Sequence, residues 1–196
     1  MSVISPRIAA CALTIFVAAC DPTPSPSTRP TQGLPAVAAP VVVPVPMTPE
    51  SLVGGIKFYE ARLPPYVAAV RGLAAPESFG RWSIAKLVLV DFTGPLPEEF
   101  ELEMVLGGFG PNVGAELQII VGAEARTLKI RSDLMQMQTY LLRFSNPERA
   151  NTIALLVPVP TSPQAIGKAA NDPRMLGISL QSMLIRPTPP GEPERK

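Results

Sequence analysis

The stretch EEFELEMVL, Glu98 to Leu106, decides the fold. Phe100, Leu102, Met104 and Leu106 fall on one side of an extended chain, and Glu99, Glu101 and Glu103 fall on the other. A period of two with one apolar and one charged face predicts an antiparallel strand with one side on a core and one in water. Working outward, the same alternation recurs. AELQIIVG (115–122) carries Leu117, Ile119 and Val121, and ARTLKIR (125–131) carries Leu128 and Ile130 after a turn at Gly122-Ala123-Glu124. QTYLLRF (138–144) sets Tyr140, Leu142 and Phe144 against Thr139, Leu141 and Arg143, and NTIALLVPV (151–159) supplies Ile153, Leu155, Val157 and Val159. Pro158 marks an edge or a strand end there.

KLVLVDF (86–92) is apolar on both faces and reads as a central strand, MLGISLQSMLI (175–185) turns Leu176, Ile178, Leu180 and Leu184 inward, and IKFYE (56–60) is shorter. Eight strands at short spacing predict an all-β, antiparallel two-sheet sandwich of jelly-roll type over residues 50–187. One short helix is expected in LPPYVAAVRGLA (63–74), with Pro64 in its first turn and Gly72 at its end. No internal repeat is visible.

Composition narrows the chemistry. The chain has 196 residues and no histidine. A Ser-His-Asp triad, a Cys-His pair and a His-ligated zinc site are thereby excluded. Arg7 is the only charged residue before Cys20, so 16 basic and 16 acidic side chains follow it, and nothing favours nucleic acid as a partner. Glu98, Glu99, Glu101 and Glu103 are carboxylates in series, but three of them share one wet face. A glycosidase needs two carboxyls opposed across a cleft. No nucleophile–base pair, metal set or cofactor motif appears, and GGFGPNVG (107–114) lacks the residues of a phosphate loop and does not open a helix. Its glycines suit a tight connection between strands.

Residues 1–19 hold one basic residue and an apolar run from Ile8 to Ala19. As a helix that run spans about 18 Å, too short for a bilayer but right for a cleaved signal. Val17-Ala18-Ala19-Cys20 resembles the lipobox of bacterial lipoproteins. The resemblance implies a thioether-linked diacylglycerol on Cys20 and a membrane-anchored, periplasmic chain, with Asp21 implying retention at the inner membrane. Residues 20–49 hold nine prolines and read as an extended spacer of up to roughly 90 Å. Residues 188–196 form a polar tail.

Four segments in order, GRWS (80–83), FGPNVG (109–114), SNPERANTI (145–153) and SPQAIG with DPRMLGISL (162–180), resemble a β-sandwich domain at the carboxyl end of bacterial phosphoglycerol transferases, which decorate periplasmic glucans. In those enzymes the transfer chemistry lies in a separate metal-dependent domain. The resemblance therefore implies a non-catalytic accessory module with glycan or glycolipid as ligand. The alternatives are a structural lipoprotein docking on a membrane transferase and, less favoured, a small hydrolase or transferase.

Trp82, the only tryptophan, has two readings. It stacks on a sugar ring, with Arg81, Asn112, Asp172 and Arg174 as polar partners. Or it fills the core, with Arg81 or Arg174 pairing to Asp172 to hold the 162–174 loop. Met135 and Met137 likewise read as core filler or as an exposed binding edge.

Overall fold

A computed structural model describes residues 48–189. The signal, the proline-rich spacer, Cys20 and most of the polar tail lie outside the described residues. One helical turn, α1 (Pro49–Leu52), leads into ten strands: β1 (Ile56–Lys57), β2 (Val67–Arg71), β3 (Arg81–Trp82), β4 (Leu87–Phe92), β5 (Glu99–Gly108), β6 (Glu116–Val121), β7 (Glu124–Lys129), β8 (Gln138–Ser145), β9 (Thr152–Leu156) and β10 (Ile178–Pro187). They form two five-stranded sheets. One has the order β1-β10-β5-β8, with β3 on the same edge of β10 as β1, and the other has the order β2-β4-β9-β6-β7. All strand pairs are antiparallel. The fold is an all-β two-sheet sandwich.

The alternation that predicted β5 is realised. Phe100, Leu102, Met104 and Leu106 are fully buried, and removing each from water contributes about 2 kcal/mol. Their counterparts from the second sheet are Val88 and Val90 of β4, Leu117 and Ile119 of β6, and Ile153 and Leu155 of β9. Phe100 and Phe144 stack at the end of the β5–β8 pair, centroids 5.6 Å apart. On the outer face Arg186 pairs with Glu101 and Glu103, while Glu99 accepts from the Ser145 hydroxyl.

Three expectations need correction. The 63–74 stretch is not a helix but an edge strand: Val67–Arg71 pairs with β4. A single short helix gains little by itself, whereas β-branched Val67 and Val70 complete a sheet. Gly72, at φ 81°, ends the strand where an added Cβ would meet the Leu87 carbonyl oxygen at 2.3 Å. In β10 the register shifts between Leu180 and Ser182. This bulge turns Met183 and Ile185 into the core in place of Leu184. Finally, β9 stops at Leu156, before Pro158, and Val159 is exposed rather than inward.

Candidate functional site

The Trp82 region is built by close backbone approach. Glu77 and Gly80 exchange backbone hydrogen bonds of 2.8 and 3.0 Å, closing a tight turn just before β3. Gly80 sits at φ 143°, and an added Cβ would lie 2.3 Å from the Leu180 carbonyl oxygen. No other residue lets the turn lie this close to β10. β3 then pairs Trp82 with Ser179 and Arg81 with Leu180. From the other side, Gly107 of β5 packs against the Asp133 backbone, and the Phe109 N–H donates to the Gly177 carbonyl at 2.8 Å.

These constraints bring three rings together. Trp82 is only 6% exposed and meets Phe79 and Phe109 edge-on, with centroid separations of 5.4 and 5.6 Å. Such pairs add about 0.5–1.5 kcal/mol beyond the area they bury. Trp82 and Phe109 form part of the wall of a cleft of about 270 Å³, completed by Val113, Leu134, Met135 and Lys168. The Lys168 ammonium lies 5.6 Å from the centre of the Phe109 ring, a cation–π approach. Met135 stands 86% exposed at the opening, its backbone N–H donating to the Asp133 carboxylate.

The four polar residues singled out with Trp82 are engaged elsewhere. Arg81 donates from Nε to the Phe58 carbonyl at 3.0 Å and from Nη2 to the Glu60 carbonyl at 3.1 Å. Burial lowers its pKa from the ordinary arginine value. Asn112 is fully buried: Nδ2 donates to the carbonyls of Phe109 and Val159, both at 2.8 Å, and Oδ1 accepts from the Val159 N–H at 3.0 Å. It clamps the 109–114 loop to the segment after β9. Arg174 forks onto the Asp172 carboxylate and reaches Glu77 at 3.4 Å. Those hydrogen bonds lower the Asp172 pKa and raise that of Arg174. The group thus fastens the 162–174 loop to the turn that carries Phe79.

Of the residues the sequence singled out, the structure brings Trp82 and Met135 into one cleft. Phe109 and Lys168 join them without having been named. A single phenylalanine between glycines in GGFGPNVG was the available signal. Lys168, between Gly167 and Ala169 in a polar loop, gave none.

A family model described as "Domain of unknown function (DUF7024)" matches residues 51–187. The chain belongs to this family. The DUF7024 region is also similar to the phosphoglycerol transferase I proteins of Salmonella typhi and Salmonella typhimurium, with 36% identity over 131 residues in each case. That match covers 65% of this chain but only 17% of either transferase. Among solved structures, a mutant of the carbohydrate-binding module CBM29-2 aligns with a TM-score of 0.44 and 14% identity, over 67% of this chain and 89% of that one. A second family 29 module mutant aligns with a TM-score of 0.41 and 10% identity, over 68% and 90%.

Proposed function

We propose that this DUF7024 protein is a lipid-anchored, non-catalytic accessory module on the periplasmic face of a bacterial membrane, where it binds glycan or glycolipid beside glucan-modifying machinery. The observation that carries the reading is the 36% identity with phosphoglycerol transferase I over a region that makes up 17% of that protein. A region that makes up so small a part of the transferase fits recognition better than group transfer. Anchoring through Cys20, which rests on the lipobox, would supply the address.

The cleft beside Trp82 is the place for such a ligand. The partly exposed Phe109 ring suits the C–H face of a pyranose, and Lys168 supplies a donor for its hydroxyls. In this reading Arg81, Asn112, Asp172 and Arg174 hold the loops that shape the cleft, Trp82 is the buried support behind Phe109, and the ligand meets Phe109, Met135 and Lys168. The test is calorimetric titration of the full chain with envelope glucans, in the native form and as Met135→Ala with Lys168→Gln. Both substitutions are at exposed side chains. Weakening of about tenfold or more, with an unchanged melting midpoint, supports the reading. Equal affinity in both forms removes the cleft from it.

A second reading draws on the same surface. Met135 and, nearby in the cleft, Val113 at 40% exposure would also suit docking on a membrane enzyme. Co-purification of one membrane protein, lost in Met135→Ala, together with no affinity for glucan, would select it.

A further inference from the structure

A second cleft, of about 360 Å³, opens on the flank of the sandwich where β7, an edge of one sheet, runs beside β8, an edge of the other. Its wall includes Thr127, Lys129 and Arg131 from one side and Thr139, Tyr140 and Leu141 from the other. Among the described residues no carboxylate lines it.

The sequence places the first three by alternation. Leu128 and Ile130 are buried, so Thr127, Lys129 and Arg131 share the opposite side, roughly 7 Å apart along the chain. Lys129 and Arg131 are both exposed, and among the described residues neither forms an ion pair. Glu116 sits opposite Lys129 in the β6–β7 ladder without pairing to it. The neighbouring cation on the same strand, Arg126, is by contrast already paired with Glu124. The Tyr140 hydroxyl accepts the Arg131 N–H at 2.8 Å, which fixes the chain at this point and leaves the phenolic proton to donate. The cleft therefore gathers two cations and three hydroxyl donors, and Glu116, across the ladder from Lys129, is outside its lining. A carbohydrate hydroxyl does not call for that arrangement, but a compact oxyanion does.

We infer that the β7–β8 cleft is a binding site for a phosphate ester, held by Lys129 and Arg131 with the hydroxyls of Thr127, Thr139 and Tyr140. A substituted soluble sugar and a phospholipid headgroup both carry that chemistry. The site is separate from the Trp82 cleft, and the glucan titration above does not report on it.

The test follows backbone amide resonances of the full chain during titration with inorganic phosphate and with glycerol phosphate. Saturable shifts at residues 127–131 and 139–142 are expected. Lys129→Gln with Arg131→Gln should weaken them about tenfold or more, and Arg126→Gln should leave them unchanged. A parallel arm sediments the Cys20→Ser chain with phosphatidylcholine vesicles, with and without phosphatidylglycerol. Binding that needs phosphatidylglycerol and is lost in the double variant identifies a headgroup as the source. Loss of glycerol phosphate binding in the double variant, without vesicle binding in either form, identifies a soluble ester. No saturable shift in the first arm and no phosphatidylglycerol-dependent sedimentation in the second, or effects that the double variant retains, overturn the assignment.

Discussion

Asn112 shows what a polar side chain does when its setting changes from loop to core. In sequence it looks like a ligand-binding amide, yet it is fully buried with three hydrogen bonds to main chain, two of them to Val159, 47 residues away. That partnership is invisible in sequence because it depends on which loops meet. Asn112→Ala leaves buried main-chain groups without partners and should cost about 2–4 kcal/mol in chemical denaturation, while exposed Lys168→Gln should change stability by no more than about 0.5 kcal/mol. Asp172 is legible in part: its pairing with Arg174 was one of the two arrangements the sequence allowed. The hydrogen bonds from Arg174 hold its pKa below the ordinary 3.8. A depressed carboxylate pKa means that the tie is fully present above the unfolded value and is lost as pH falls through the lower folded one. In an NMR titration Asp172 should protonate below 3.8, and Arg174→Ala should move its midpoint up toward that value.

At the scale of elements, alternation was reliable wherever one face was apolar and the other was not. β6 and β9 follow it residue by residue, and β5 does so up to Leu106, after which Gly107 and Gly108 are buried as well. It failed at Val159, which lies beyond the end of β9, and in two other places for different reasons. Val67-Ala68-Ala69-Val70 has too few side chains to fix a period, and pairing with β4 decided its state. In β10 one extra residue at the bulge reverses the alternation after Leu180, and a uniform period cannot show that. Deleting Gln181 should therefore remove the bulge, restore one-to-one pairing with β5 and leave Met183 and Ile185 facing the core, so that unfolding stays cooperative, read by thermal denaturation. Gly80→Ala tests the turn beside Trp82. With φ at 143° and a carbonyl oxygen at 2.3 Å, it should cost about 3 kcal/mol and disturb the near-ultraviolet circular dichroism of Trp82.

For the whole molecule, eight of the ten strands correspond to segments picked out by pattern, but the sheet order is long-range information. β10, last in the chain, lies between β1 and β5, and β9 lies between β4 and β6. No local signal specifies those neighbours. The cleft beside Trp82 follows from the same topology, since it gathers residues from Trp82 to Lys168. The sequence named Trp82 because it is the only tryptophan, and missed Lys168 because nothing local distinguishes it. The proposed address belongs to this scale too. Metabolic labelling with a fatty acid should mark the native chain, and Cys20→Ser should remove the label and release the protein from the membrane fraction.

The proposed function requires a glycan to meet the cleft beside Trp82. The most direct measurement is an amide-resonance map of the full chain titrated with a periplasmic glucan. Saturable shifts concentrated at residues 108–113, 133–135 and 168 are predicted. No shift with any envelope glucan, or shifts confined to other surfaces, would contradict it.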